Sequence, residues 1–560
     1  MTRITDRFNL RVFGFAILAF IGLSSYATNA QMLTQKQLTT EFDRLLSEQF
    51  KPGETGCAAL VAQKGQIIYK KAFGMANLEL NVPMQPDMVF RIGSITKQFT
   101  AVAILQLMEQ GKLSLQDDIT KFIPDYPTNG YKITIEHLLT HTSGIKSFTN
   151  IPEYMEISKD DLKPEEVIKE FKNQPMEFAP GTKWSYCNSG YFLLGYIIEK
   201  ASGKTYREYI EENFFKPLGM TSSCYGDNSR IIKNRASGYQ TNGNEVVNAS
   251  YVSMLIPYAA GAIQSTVEDL FKWNQAIHSY RLLKKETLDK AFTEYKMPSG
   301  KGTGYGYGWM LQQVQGSPTI EHGGSINGFQ TNALYLPKED IFVAVFSNSN
   351  AKSPDLVSTK MTAVAIGKPY HFSEIKLDES ILEEYTGIYE NEDKAERNII
   401  KKDHQLFSQR AGGPLNEIKP FEKDKFFFEN SLATLEFKRN TDKKIESVIV
   451  IDRASSENWI KTEKKATIRK EVILPESFMD QYVGDYQLAP GFVISVTRED
   501  KHMFTQATGQ NKVEIFAESE TKFFLKVVDA QLEFIKDETG KVTKVILYQG
   551  GQKMEGPKIK

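Results

Sequence analysis

The stretch Gly93-Ser-Ile-Thr-Lys-Gln-Phe-Thr-Ala-Val-Ala-Ile-Leu-Gln-Leu-Met108 contains the pattern from which the fold and the chemistry of this chain can be argued. Its apolar residues recur three and four positions apart, as on one face of a helix: Phe99, Ala103, Ile104 and Leu107. Gly111 then ends the pattern. The stretch predicts a buried helix with Ser94 in its first turn.

A serine and a lysine three residues apart stand at the start of this helix. Because residues at this spacing share a helix face, the ammonium group of Lys97 can approach the hydroxyl of Ser94. The helix N-terminus favours a developing alkoxide, and a buried lysine has a depressed pKa and can accept a proton. The pattern alone is weak, because it recurs at Ser143–Lys146 and Ser373–Lys376. The alternative is a Ser94 that only caps the helix beside a solvated Lys97.

A second element, Trp184-Ser-Tyr-Cys-Asn-Ser-Gly190, precedes another apolar helical stretch. A tyrosine and an asparagine two residues apart on a short loop place a phenol beside an amide. Tyr186 can relay a proton, and Asn188 can hydrogen-bond the lysine or the substrate. The same pattern at Tyr389-Glu-Asn391 lies in the tail and is more simply a turn.

The third element is Glu321-His-Gly-Gly-Ser-Ile-Asn-Gly-Phe329. Its glycines remove side chains where a substrate could lie along a strand edge, so that backbone N–H groups point inward. The N–H groups of Ser325 and Ser94 could then form an oxyanion hole. The alternative is a glycine bulge that carries a surface histidine, His322.

In this order the three elements resemble the penicillin-recognising serine hydrolases, in particular the class C β-lactamase and D-Ala-D-Ala carboxypeptidase family. The resemblance covers residues 43–349. It implies an α+β fold of the β-lactamase/transpeptidase type, in which helices flank an antiparallel sheet. It also implies an enzyme with no cofactor and no metal ion.

The resemblance implies a role for each matching residue. Ser94 is the acylated nucleophile, and Lys97 and Tyr186 share the work of general base and general acid. The remaining positions bind the substrate or its oxyanion: Asn188, His322, Gly324 and Ser325.

One position departs from the family pattern. Many β-lactamases have lysine where this chain has His322, and that lysine meets the substrate carboxylate. The departure favours D-amino-acid peptidases and esterases. A genuine β-lactamase or penicillin-binding D,D-carboxypeptidase stays as the alternative. Because histidine titrates near neutral pH when unperturbed, activity is expected to follow the ionisation of His322.

The tail of the chain is a duplicated unit. Tyr385-Thr-Gly-Ile-Tyr389 matches Tyr482-Val-Gly-Asp-Tyr486, 97 positions later, and several further segments match at the same offset. Each copy has short alternating runs broken by turn formers, which predicts a small lipocalin-like all-β unit. We expect these modules to act in partner contact, in assembly or in gating of the active site. Assembly through them could produce a homo-oligomer.

Length and composition set the outer limits. The 560 residues exceed one ordinary domain and divide into a catalytic domain at 31–370, a linker at 371–378, and β-modules at 379–465 and 476–560. The stretch 351–378 after the last apolar strand is the broader region in which the linker is expected. Lys and Arg total 68 against 69 Asp and Glu, a net charge of −1 that gives no electrostatic footprint for nucleic acid. The expected partner is a small peptide, amide or ester.

The first thirty residues read as a cleavable signal peptide. Three arginines precede a short apolar run, 12–23, and small residues follow up to Ala30, where the cut is expected. The run is too short for a spanning helix, and no later segment is long enough. The expected location is therefore secreted or periplasmic, without an integral membrane span.

Other classes of protein fit less well. His137 and His141 stand at helical spacing, but Glu136 precedes them, so the zinc-protease pattern fails. No Gly-x-Ser-x-Gly occurs, which argues against an α/β-hydrolase. A non-catalytic penicillin-binding or scaffold protein is the remaining alternative, although a scaffold would not need the lysine and the tyrosine.

Overall fold

The computed structural model describes residues 33–559 apart from 244, 412, 465–470, 490, 509, 511, 527, 529, 550 and 551. The expected signal peptide, residues 1–30, lies outside the described residues. Within them, no helix combines the length and the apolar character needed to cross a membrane.

The first domain is built from helices on both sides of one sheet. Its helices are α1 (Gln35–Gln49), α2 (Thr96–Glu109), α3 (Ile135–Leu139), α4 (Tyr154–Ile157), α5 (Pro164–Lys172), α6 (Asn188–Ser202), α7 (Tyr206–Ile210), α8 (Lys216–Leu218), α9 (Tyr258–Gly261), α10 (Val267–His278), α11 (Lys285–Ala291) and α12 (Asp355–Ala365). Its strands are β1 (Cys57–Gln63), β2 (Gln66–Phe73), β3 (Met75–Asn77), β4 (Val82–Pro83), β5 (Phe90–Arg91), β6 (Cys224–Tyr225), β7 (Tyr239–Asn242), β8 (Glu245–Asn248), β9 (Ile263–Ser265), β10 (Met310–Val314), β11 (Ser317–Ile326), β12 (Phe329–Leu336) and β13 (Ile341–Ser347).

The main sheet is antiparallel, with strand order β10-β11-β12-β13-β1-β2. Strand β1 is buried on both faces, because its alternate residues belong to two different hydrophobic cores. Ala58, Leu60 and Ala62 belong to the large core that contains α2 and α6. The alternate residues Cys57, Ala59 and Val61 belong to a second core that contains α1 and α12. The two cores account for the continuous apolar run of this strand.

Helix α2 is the helix predicted from the opening stretch. Its residues from Thr96 to Leu105 are all buried, since it packs between α6 and α9 in the large core. Helix α12 lies within 351–378, the broader region in which the sequence predicts a linker. Val357, Met361 and Val364 lie one helical turn apart and pack on α1 and β13 in the second core.

Two eight-stranded units follow. The first is a closed barrel preceded by α13 (Glu379–Tyr385), with strands β14 (Gly387–Glu390), β15 (Glu396–Lys402), β16 (Gln405–Arg410), β17 (Leu415–Glu422), β18 (Lys425–Phe427), β19 (Thr434–Arg439), β20 (Ile445–Asp452) and β21 (Ser455–Lys461). The second is preceded by α14 (Glu476–Met479), with strands β22 (Gly484–Ala489), β23 (Phe492–Glu499), β24 (His502–Ala507), β25 (Val513–Ala517), β26 (Lys522–Leu525), β27 (Ala530–Lys536), β28 (Val542–Gln549) and β29 (Gln552–Pro557).

The two units repeat each other in detail. Strand β14 begins at Gly387 and β22 at Gly484, which is the 97-residue offset of the sequence repeat. The hydroxyl of Tyr389 donates to the carbonyl of Tyr385 at 2.6 Å, and the hydroxyl of Tyr486 donates to the carbonyl of Tyr482 at 2.7 Å. The predicted fold class, an α+β domain followed by two all-β units, is confirmed.

Candidate active site

Strand β5 and a short 3₁₀ turn at Gly93–Ile95 position Ser94 in front of α2. Ile92 is fixed by its N–H bond to the carbonyl of Ile263, at 3.1 Å. Gly93 has φ +52°, and a Cβ on it would lie 2.9 Å from the nitrogen of Ser325. Only glycine combines that backbone conformation with so close an approach, so Gly93 lets the Ser94 turn pack directly against β11.

Lys97 lies directly beneath Ser94 and is fully buried. Its Nζ lies 3.1 Å from Ser94 Oγ, 2.9 Å from Asn188 Oδ1 and 2.8 Å from the carbonyl oxygen of Ala260. All three partners are neutral. Lys97 is therefore not solvated, so the alternative of a Ser94 that only caps the helix beside a solvated lysine does not hold.

Burial lowers the pKa of Lys97 from its ordinary value to about 7, since the charged amine loses its hydration and gains no carboxylate partner within the described part of the chain. Near neutral pH a substantial fraction is then the free amine. In that form Nζ can donate to Asn188 and to Ala260 and direct its lone pair at the Ser94 hydroxyl. The geometry suits proton transfer from Ser94 to Lys97.

Asn188 begins helix α6 and is held from two sides. Its N–H donates to Ser147 Oγ at 3.1 Å, and its Nδ2 donates to Thr149 Oγ1 at 3.1 Å. These bonds orient Oδ1 toward Lys97. Asn188 therefore positions the lysine in this structure and also lines the cavity in front of Ser94.

Tyr186 lies over the same lysine. The Nζ of Lys97 is 4.8 Å from the centre of the Tyr186 ring, and the Tyr186 hydroxyl is buried without a hydrogen-bond partner among the described residues. Burial raises the pKa of Tyr186 well above its ordinary value, and the nearby Ser94 hydroxyl opposes that rise only in part. Tyr186 is therefore a neutral phenol, suited to donate a proton.

The glycine segment of β11 forms one wall of the site. Strand β10 pairs with β11 only as far as Glu321, so in the described part of the chain that edge has no strand partner from His322 onward. The Ser94 turn packs against this segment instead. A Cβ on Gly324 would lie 2.0 Å from the carbonyl oxygen of Ile92. Gly324 thus makes room for the turn that carries the serine, rather than for a substrate as expected.

His322 is buried and not at the surface. Its Nδ1 donates to the carbonyl oxygen of Gly323 at 2.6 Å, and its Nε2 accepts from the hydroxyl of Tyr305 at 2.9 Å. Burial and the charge of Lys97 lower the pKa of His322 to about 3. The expectation that His322 ionises near neutral pH is wrong, because an imidazole that loses its hydration stays neutral. Of these two groups, Lys97 is the one whose pKa, lowered by burial to about 7, lies near neutral pH.

The family follows from a match that covers more than half of the chain. Residues 42–367 match the family model described as Beta-lactamase. The chain belongs to the beta-lactamase family. This confirms the resemblance drawn from the three sequence elements. Residues 468–558 match a second model, described as a domain of unknown function, DUF3471.

Several proteins of known name or structure are similar to this member of the beta-lactamase family. Penicillin-binding protein 4* of Bacillus subtilis (strain 168) is 26% identical over 549 residues, which cover 94% of this chain and 99% of that protein. The octameric penicillin-binding protein homologue from Pyrococcus abyssi has a TM-score of 0.54 and 29% identity, covering 77% of this chain and 100% of that chain. A D-stereospecific amidohydrolase from Streptomyces sp. has a TM-score of 0.51 and 26% identity, covering 57% of this chain and 97% of that chain.

A cavity of about 520 Å³ opens in front of Ser94 in this beta-lactamase-family domain. Ser94, Asn188 and Ser325 line it together. The cavity lining does not include the other four predicted residues: Lys97, Tyr186, His322 and Gly324. The structure therefore brings all seven predicted residues into one cluster, with the nucleophile candidate at the solvent side and its lysine beneath it.

Sequence reasoning missed several members of this cluster. The carbonyl of Ala260 accepts from Lys97, but a backbone carbonyl has no side-chain signature. His141 packs on the Tyr186 ring with centroids 4.3 Å apart, and its Nδ1 accepts from the N–H of Cys187 at 3.1 Å. In the sequence, His141 stands out only through its helical spacing from His137. Tyr305, which bonds His322, lies in none of the three sequence elements.

Proposed function

We propose that this chain is an exported serine hydrolase that forms an acyl-enzyme on Ser94 with small amide, peptide or ester substrates. The observation that carries the proposal is the contact of 3.1 Å between Ser94 Oγ and Lys97 Nζ, together with the lowered pKa of Lys97. A nucleophilic serine needs a base that is free near neutral pH, and this lysine meets that need without a histidine.

Acylation begins when the free amine of Lys97 accepts the Ser94 proton and Oγ attacks the substrate carbonyl carbon. The carbonyl oxygen becomes an oxyanion, and the N–H groups of Ser94 and Ser325 are the donors proposed to hold it. Support comes from the close packing of the Ser94 turn on β11, where Gly93 approaches the Ser325 nitrogen.

Collapse of the intermediate breaks the bond to the leaving group. The phenol of Tyr186 donates a proton to the departing nitrogen or oxygen and regains one from the Lys97 ammonium, so both side chains return to their starting forms. Water then attacks the acyl-enzyme through the same groups in reverse, releases the acid and restores the Ser94 hydroxyl.

Amides of D-amino acids are the first substrate class proposed. The similar Streptomyces protein is a D-stereospecific amidohydrolase. In this chain the neutral His322, occupied by Tyr305 and Gly323, lacks the charge that a lysine would offer to a substrate carboxylate. Penicillin as an acylating agent is the second candidate, because a relative similar over nearly the whole chain is named penicillin-binding protein 4*.

Export and assembly complete the proposal. Residues 1–30 are proposed as the signal peptide, on the basis of their sequence pattern alone. Homo-oligomeric assembly is supported by the octameric Pyrococcus abyssi homologue, and the β-modules are the proposed interface.

The test is an intact-mass measurement after mixing the protein with an activated ester, a D-aminoacyl anilide and a penicillin. We expect an acyl adduct that Ser94→Ala abolishes. Ser373→Ala is the matched control, because Ser373 begins the same Ser-x-x-Lys pattern on an exposed segment. An adduct that persists in Ser94→Ala, or hydrolysis unchanged by Lys97→Ala, contradicts the proposal.

A further inference from the structure

A second cavity of about 320 Å³ adjoins the one in front of Ser94. The two cavities share three lining residues: Ser250, Tyr251 and Asn327. The second cavity also contains two arginines, Arg91 and Arg235, which the proposed mechanism does not use. A group bound there would be continuous with a substrate held at Ser94.

The backbone places both arginines on one face. Side chains two residues apart in an extended segment point to the same side, so Arg91 shares a face with Val89. Arg235 is the bridge partner of Val89, and the N–H of the next residue, Ala236, donates to the Val89 carbonyl at 3.1 Å. Directly bridged residues of parallel segments also point to one side, so Arg91, two residues after Val89, lies diagonally across from Arg235.

Neither guanidinium forms an ion pair with a carboxylate among the described residues. The neighbouring Arg207 and Arg230 do, since both reach Glu211. Arg91 lies over the Phe329 ring, 5.9 Å from its centre. Burial and the charge of Arg235 together lower the pKa of Arg91 to about 10. Two like charges at one cavity, one of them largely buried, repel each other. An anion bound between them would offset that repulsion.

We propose that Arg91 and Arg235 form a subsite for a carboxylate group of the substrate, next to the acylation site. This deepens the proposed function and rests on it. Guanidinium groups present paired N–H donors that match the two oxygens of a carboxylate. The subsite supplies the positive charge that the neutral His322 lacks.

The test compares substrates that differ only in that charge. The first pair is the α-p-nitroanilides of D-glutamic acid and D-glutamine, with the carboxylate on the acyl side. The second pair is D-alanyl-D-alanine and its C-terminal amide, with the carboxylate on the leaving side. We expect the wild-type protein to prefer the carboxylate in one of the pairs by roughly tenfold in kcat/KM, the low end for a charged hydrogen bond at a partly exposed site.

The variant is Arg235→Gln, because Arg235 is exposed and lies far in sequence from Ser94. We expect the carboxylate-to-amide ratio of kcat/KM to fall to about one. The ratio cancels any general effect on turnover. Lys233→Gln, an exposed cation on the same segment that does not line the cavity, should keep the wild-type ratio. A wild-type ratio near one in both pairs, or a ratio unchanged in Arg235→Gln, overturns the subsite.

A binding arm separates failure of the subsite from failure of the proposed function. In Ser94→Ala protein, glutarate should raise the thermal midpoint relative to chloride at equal ionic strength. The rise should vanish when Arg235→Gln is added and persist with Lys233→Gln. If wild-type protein hydrolyses no substrate, the proposed function fails and this arm alone decides the subsite. A rise with inorganic phosphate but none with glutarate assigns the cavity to a phosphate group and overturns the carboxylate.

Discussion

Arg453, in the turn between β20 and β21 of the first barrel, forms a two-pronged ion pair with Glu321 in β11 of the catalytic domain. The two N–O distances are 2.7 and 2.6 Å, and Arg453 Nε also donates to the carbonyl of Gln313 at 2.9 Å. Both charged side chains are largely buried. Because Glu321 directly precedes His322, the barrel is bound to the strand that forms the wall of the candidate site.

Removing the arginine should destabilise the catalytic domain. Arg453→Met leaves the Glu321 carboxylate buried without its partner, which costs about 3 kcal/mol. We expect a clearly lower thermal midpoint for the transition of that domain, measured by calorimetry. The matched control is Lys464→Met, which breaks exposed pairs with Glu390 and Glu396 and should cost less than about 1 kcal/mol.

The double variant Arg453→Met with Glu321→Gln removes the orphaned charge as well. Its thermal midpoint should be higher than that of Arg453→Met alone, since the two residues are in contact and their effects are not additive. If Arg453→Met and Lys464→Met lowered the thermal midpoint equally, the buried pair would not matter for stability. The same conclusion would follow if the double variant lowered the midpoint by the sum of the Arg453→Met and Glu321→Gln effects.

The pH dependence of kcat/KM should report Lys97. The ammonium form cannot accept the Ser94 proton, so activity is low below the pKa and rises as the amine becomes free. With the pKa of Lys97 lowered to about 7, we expect kcat/KM to reach half of its plateau near pH 7. The measurement is a pH profile with an uncharged substrate, so that substrate ionisation plays no part.

His322→Gln provides the control for that profile. Because the pKa of His322 is lowered to about 3, its removal should leave the midpoint of the rising limb in place, whatever it does to the plateau. If the rising limb of the profile disappeared in His322→Gln, the ionising group would be the histidine. A flat wild-type profile would contradict Lys97 as the base.

The sequence predicted those features that side-chain patterns encode. The helical spacing after Ser94 predicted α2, and the 97-residue repeat predicted two eight-stranded units whose strands correspond one to one. The order of the three short elements predicted that Tyr186 and Lys97 lie close together, although each element alone was ambiguous.

Features that depend on tertiary contacts were not predictable. The low pKa of His322 follows from its burial, which no local pattern reports. The Arg453–Glu321 pair joins residues 132 positions apart, and either charge alone reads as a solvated surface group. Helix α12 did leave a signal, the spacing of Val357, Met361 and Val364, but its position after the last strand favoured a linker.

Tyr186→Phe tests the role of the phenol as an acid. A departing amine must gain a proton to leave, whereas p-nitrophenolate leaves without one. We therefore expect kcat/KM for an anilide to fall by about 10² to 10⁴, the usual contribution of general acid catalysis. The p-nitrophenyl ester of the same acyl group should fall much less. Equal losses on both substrates would show that Tyr186 acts on a step that they share, such as base catalysis or packing.

The two glycines after His322 give a matched pair for the packing of the Ser94 turn on β11. A Cβ on Gly324 would lie 2.0 Å from the Ile92 carbonyl oxygen and 2.6 Å from Thr331 Oγ1, whereas the nearest atom to a Cβ on Gly323 is 3.5 Å away. Gly324→Ala must push β11 away from the turn, which costs about 1–3 kcal/mol and separates Ser94 from Ser325. We expect a lower thermal midpoint and strongly reduced acylation of Ser94.

Gly323→Ala should leave both the midpoint and the acylation rate close to wild type, because its new methyl group makes only ordinary contacts. Acylation is followed by intact mass against time, which separates it from turnover. If Gly323→Ala lost as much as Gly324→Ala, the requirement would be for backbone flexibility in the segment as a whole. If only Gly324→Ala lowers the midpoint and the acylation rate, glycine is required for the close approach of Ile92 to β11. That approach sets the distance between Ser94 and the strand wall.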